Sequence, residues 1–144
     1  VVLPPALAFT LQSGSLHRSL PLVIFPLVPL HLSLMLLLRL SRYREDLALK
    51  RKTLLVRIGW IQGIFFHNMV VFSGFLLFGI SLAFGMAFRI IGPVFLALPA
   101  AVFLVWYLSR LKDGAAVRWP LLKLLSLVVF FLPAYLITYA LWIR

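Results

Sequence analysis

An all-α integral membrane protein with about four transmembrane helices is the fold class this sequence predicts, and three observations carry that reading. Of the 144 residues, 64% are hydrophobic and 12% are charged, against roughly 45–50% and 25% in soluble domains. The apolar residues gather into four runs, each near the ~20 residues that a helix needs to cross ~30 Å of hydrocarbon. Strict period-two alternation is absent from these runs, which argues against a membrane β-barrel.

Residues 1–19 come first. Val1–Leu11 is apolar, contains Pro4–Pro5 and is too short to cross a bilayer. With no basic segment ahead of it, it does not look like a signal peptide. It reads as the remnant of a truncated preceding helix and loop. The first span is expected over about 20–38. Pro21, Pro26 and Pro29 interrupt it around His31 and predict kinks and freed carbonyls, tolerable only where protein or a cavity covers them.

The loop over 39–57 is the most basic part of the chain: Glu45 and Asp46 stand against Arg39, Arg42, Arg44, Lys50, Arg51, Lys52 and Arg57. The second span is expected over 58–82. Gly59, Gln62, Gly63, His67, Val70, Ser73 and Gly74 share one of its faces at helical spacing. Small residues on such a face let helices approach closely, so Gly59, Gly63, His67 and Gly74 are candidate helix-packing positions. An intramembrane imidazole is also a candidate ligand for a pigment or haem metal, which gives His67 a second reading.

A nearly uncharged turn at Gly85–Phe88 leads to the third span, over 88–108. Arg110, Lys112, Arg118 and Lys123 surround the next loop, over 110–118, and the fourth span follows over 119–143. Pro133 is expected to bend it near Tyr135 and Tyr139, a pair one turn apart that suits either an isoprenoid or quinone ring or a neighbouring helix. The two basic loops fall on one side, which the positive-inside rule makes cytoplasmic, in a multi-pass protein of a bacterial inner membrane. Trp106, Tyr107, Trp119 and Trp142 lie near span ends, where amphipathic rings prefer the interface.

The net charge of +11 and pI near 11.5 therefore point to orientation and anionic headgroups and not to nucleic acid. The absence of cysteine excludes disulfides and thiolate or iron–sulfur chemistry. Arg51, Lys52 and Arg57 are candidates for clamping a diphosphate or a lipid phosphate, since guanidinium forks match phosphate oxygens. Asp46 reads either as a metal ligand or, with Glu45, as a solvated charge pairing with Arg42, Lys50 or Arg44.

Residues 12–59 carry a family resemblance. Gln12–Leu16, an apolar span and then RYREDLALKRKTLLVRIG resemble the C-terminal half of UbiA-type intramembrane prenyltransferases, the menaquinone branch in particular. The family's second motif runs roughly N-x-x-x-D-Y-x-x-D-x-x-x-G-K-R-T-L-x-V-R-L-G. Tyr43 matches its tyrosine and Asp46 its second aspartate. Arg51, Lys52, Thr53 and Leu54 match the K-R-T-L run with the basic pair exchanged, and Val56, Arg57, Ile58 and Gly59 match its end. The resemblance implies the last four helices of a nine-helix bundle, with Tyr43, Arg51, Lys52 and Arg57 near a diphosphate and Asp46 near Mg²⁺. Leu38, Arg42 and Lys50 depart from the motif at its asparagine, first aspartate and glycine.

Those departures bear on the chemistry. Ionising an allylic diphosphate requires carboxylate-held Mg²⁺ to neutralise the leaving group, and this chain has only three acids, Glu45, Asp46 and Asp113. An arginine in place of an aspartate repels a metal. The expected function is thus a catalytically incompetent relative. It would serve as an accessory subunit, or as an element contacting an isoprenoid, quinone or lipid, in a photosynthetic or respiratory complex. Other transmembrane subunits and lipids are its expected partners, covering a one-sided surface left where half a bundle is missing. The alternatives are the C-terminal part of a divided Mg²⁺-dependent prenyltransferase, active when a partner completes the site, and an unrelated membrane scaffold or transporter subunit. On the favoured reading Asp46→Asn leaves assembly unchanged while a bulky residue at Gly63 or Gly74 disrupts it; native gel analysis of the membrane extract distinguishes the two.

Overall fold

The computed structural model describes residues 20–114, 116 and 118–143; the Val1–Leu11 and Gln12–Leu16 segments lie outside them. The described elements are helices: α1 (Leu20–Ile24), α2 (Leu27–Leu40), α3 (Tyr43–Ala48), α4 (Leu54–Ile58), α5 (Trp60–Ala83), α6 (Phe88–Ile91), α7 (Leu98–Ser109) and α8 (Trp119–Trp142), with 3₁₀ segments at Gly92–Ala97 and Arg110–Asp113. Four stretches are long and apolar enough to cross a membrane: Pro21–Leu40, Trp60–Ala83, Phe88–Asp113 and Trp119–Leu141. The protein is an all-α, multi-pass membrane protein.

Prolines set the breaks in the first and third spans. Pro26 has no N–H to offer the carbonyl of Leu22, and the helix divides there into α1 and α2. The freed Leu22 carbonyl accepts a hydrogen bond from Ser81 Oγ of α5 at 2.6 Å. Pro29 likewise frees the Phe25 carbonyl, which takes the Val28 N–H at 3.2 Å. In the third span Pro99 cannot bond Phe95, whose carbonyl accepts from Leu98 instead. The backbone between Pro93 and Pro99 tightens into a 3₁₀ turn, an interruption that hydropathy alone does not foresee. Pro133 lies inside α8, which continues through it.

Helix α2 packs against α5 and α8, and the third span packs against α8 and α5, so the four spans close a ring around one core. Leu30, Leu37, Ile64, Phe78, Leu104 and Leu122 fill it. Outward-facing residues such as Phe65, Phe72, Leu76, Leu124 and Phe131 are exposed, as lipid-facing positions are.

The small residues of α5 are used within the chain. A Cβ at Gly74 would lie 2.6 Å from Leu30 Cδ2 and 3.4 Å from the Pro26 carbonyl oxygen; one at Gly63 would lie 2.8 Å from Leu55 Cδ2 and 3.2 Å from Leu40 Cδ2. Both glycines let the chain's own α2 and α4 approach. Gly59 has a different role. It precedes α5 with φ of 94° and nothing within 4 Å of a Cβ position, so it turns the chain between α4 and α5 and packs against no helix. Gln62 is exposed, and Val71 is buried where Val70 was expected to face the contact.

Gly74→Ala should destabilise the bundle by about 1–3 kcal/mol through overpacking, with partial relief from Leu30→Ala in the same chain. Gly79→Ala, with nothing within 4 Å, should be neutral or stabilising by about 0.5–1 kcal/mol. Denaturant titration in mixed micelles measures all three.

Candidate functional site

Both basic loops lie at one end of the bundle. The Arg118 N–H donates to Tyr107 Oη at 3.1 Å, and the rings of Trp60 and Trp119, which open α5 and α8, meet edge-on at 5.9 Å. Tyr43 of α3 packs on Trp60 at 5.3 Å. Arg39, Arg42, Arg44, Lys50, Arg51, Lys52, Arg57, Arg110, Lys112, Arg118 and Lys123 gather at this end with all three acids, while Arg89 follows the opposite turn. Arg110 covers the Trp106 ring at 4.3 Å, a cation–π contact suited to an interfacial anchor.

A cleft of about 830 Å³ opens between the two loops. Tyr43, Trp60 and Trp119 form an aromatic wall; Arg44, Glu45 and Ser41 supply polar groups, and Leu40, Leu47 and Leu111 an apolar floor. An amphiphile fits such a lining, with its apolar part against the rings and a charged head by Arg44. Tyr43 is the one residue of the expected phosphate set that lines the cleft. Arg51, Lys52 and Arg57 are exposed on the loop outside it, so the structure does not bring the four together. Trp60 is a lining residue that charge and hydropathy do not point to; a tryptophan opening each of two parallel spans is the signal in the sequence.

Asp46 pairs with Arg51, and not with Arg42, Lys50 or Arg44. Its side chain is 9% exposed and its Oδ1 lies 3.6 Å from Arg51 Nη1, while the Arg51 N–H donates to the Asp46 carbonyl at 2.9 Å. The pair closes the turn between α3 and α4, in which Lys50 takes φ of 51°. Mg²⁺ does not fit this donor set: one carboxylate, already facing a guanidinium, with no group of three His, Cys, Asp or Glu in reach of one another among the described residues.

His67 is fully buried and lines neither the main cleft nor the shallower one by Arg118. Its Nδ1 lies 3.2 Å from Asn68 Oδ1, and Asn68 Nδ2 donates to Ser109 Oγ at 3.1 Å, joining α5 to α7. His31 stacks obliquely on Phe130 at 5.1 Å. Tyr135 and Tyr139 stack on each other at 6.2 Å on the lipid-facing side of α8, outside both clefts.

With no native cysteine, single replacements map sidedness cleanly. Leu49→Cys and Lys112→Cys should label from the same membrane face with an impermeant maleimide, and Ala87→Cys from the other. Labelling of Leu49→Cys and Lys112→Cys from opposite faces would break the four-span arrangement. Comparison with protein-family models, curated proteins and solved structures finds no match.

Proposed function

We propose that this chain is a non-catalytic inner-membrane protein that holds an amphiphile, an isoprenoid, quinone or lipid, in the cleft at its basic, cytoplasmic end and acts as an accessory element beside other transmembrane subunits. The cleft carries this reading: an aromatic wall of Tyr43, Trp60 and Trp119 beside Arg44, at the depth where headgroups meet hydrocarbon. Clustered cations favour an anionic head, each contributing about 1 kcal/mol near an anionic leaflet.

A UbiA-like origin remains part of the proposal. The match over residues 51–59 supports it, as does the backbone: both positions at which the motif has glycine, Lys50 and Gly59, take positive φ. The Arg51–Asp46 pair and Arg42 argue against metal-dependent ionisation by this chain. A divided enzyme is the second reading, favoured by the same motif match, with the missing carboxylates supplied in trans.

The test is extraction into native nanodiscs followed by mass spectrometry of co-purifying lipids and polypeptides. One anionic or isoprenoid species should be enriched several-fold over the bulk membrane and lost on combining Trp60→Ala with Arg44→Gln. A bulk-like lipid profile would overturn the binding proposal. Mg²⁺-dependent prenyl transfer by a complex with one aspartate-rich partner would establish the divided enzyme instead.

A further inference from the structure

The three acids at the loop end differ in what they meet. Asp46 is taken by Arg51 at 3.6 Å. Asp113 is exposed and lies outside the lining of the cleft. Glu45 lines the cleft, and no ion pair reaches it among the described residues. Arg44 precedes it in the chain and Arg42 stands three residues back, where a pair on a helix could form. A carboxylate inside so basic a loop is therefore left open toward the cleft.

The aromatic wall repeats this pattern. Arg110 lies over the Trp106 ring, the one cation–π contact among the described residues. The three rings that line the cleft carry none. Tyr43 and Trp60 are inclined by 52° and Trp60 and Trp119 by 76°, so the wall is a corner and not a flat stack. Ring faces attract cations, indole most strongly, and rings grouped around one point are how proteins recognise an ammonium. A carboxylate in the same lining adds to that attraction. Arg44 offers the opposite charge there, a guanidinium suited to phosphate oxygens.

We infer that the cleft takes an anionic phospholipid whose head also bears an ammonium, of the phosphatidylserine kind. Its phosphate meets Arg44, its ammonium meets Glu45 and the aromatic wall, and its apolar part meets Leu40, Leu47 and Leu111. The inference rests on the reading of this cleft as an amphiphile site and narrows it. A head with negative groups alone leaves Glu45 facing like charge. A head with a positive group alone meets the arginines and lysines of the loop. A head with no net charge satisfies the lining but gains nothing from the surrounding cations. Net negative charge with one ammonium satisfies both the lining and its surroundings, and a cleft of about 830 Å³ has room for it.

The experiment places the full chain in nanodiscs of an uncharged galactolipid. These contain equal small amounts of phosphatidylserine and phosphatidylglycerol with matched acyl chains, and native mass spectrometry counts the lipids retained. The two lipids have the same net charge, so net charge alone cannot separate them. Phosphatidylserine should be retained about five- to tenfold over phosphatidylglycerol. The ratio should fall close to one in Glu45→Gln and hold in Asp113→Asn, which removes an acid outside the lining. Equal retention by the wild-type chain, a ratio unchanged in Glu45→Gln, or a ratio lowered equally in Asp113→Asn overturns the inference and leaves the amphiphile reading standing. Retention of neither lipid above the galactolipid overturns both. The wild-type ratio needs no variant, so it decides even if Glu45→Gln assembles poorly.

Discussion

Hydrocarbon offers no hydrogen bonds, and that constraint organises this protein more than any single contact does. A backbone group released from a helix inside the bilayer must find a partner within the chain. The first span shows how. Pro26 removes a donor, the Leu22 carbonyl is freed, and Ser81 reaches across from α5 to accept the obligation at 2.6 Å. The same hydroxyl also serves the Leu77 carbonyl at 2.8 Å, so one side chain secures both its own helix and the broken one beside it. Interhelical bonds of this kind average only ~0.6 kcal/mol in membranes. Their value here lies in fixing which turn of α5 the break in the first span must meet, and leaving them unmade is the larger penalty.

Packing then converts that registration into a closed bundle. Apolar burial drives little association between helices already in lipid, so close van der Waals fit has to do so. Leu30 entering the notch at Gly74, and Leu40 and Leu55 converging on Gly63, supply it. Because these notches are filled from inside, the argument for partner subunits cannot rest on them. The chain gathers its charge and three of its four tryptophans, Trp60, Trp106 and Trp119, at the loop end beside the cleft.

The sequence made the membrane class, the four spans and the side shared by the two basic loops legible, because each depends on composition summed over many residues. Span ends agree within a few residues, as at Leu40 and Trp60. What it hid depends on single placements. Gly59, Gly63 and Gly74 look alike in a helical projection, yet the first is a turn and the other two are packing notches. Asp46 had several nearby cations to choose from, and the left-handed turn at Lys50 selected Arg51. The cleft was invisible for a similar reason: Tyr43, Trp60 and Trp119 are distant in sequence and meet only once the bundle brings the first turns of α5 and α8 to the same end.

The basic loop shows how backbone form and chemical competence can separate. Its turn uses positive φ at Lys50 and Gly59, the two positions at which the resembled motif carries glycine, and lysine bears the strain of that conformation. Arg42 stands where that motif has its first aspartate, and Asp46 is a structural partner for Arg51. A buried carboxylate facing a guanidinium serves the loop's shape, whereas a metal site would need it open and accompanied. With Arg51 drawn to Asp46, the polar and aromatic groups lining the cleft are Ser41, Tyr43, Arg44, Glu45 and the two tryptophans. Aromatic faces beside a cation are the lining on which the proposed amphiphile binding rests.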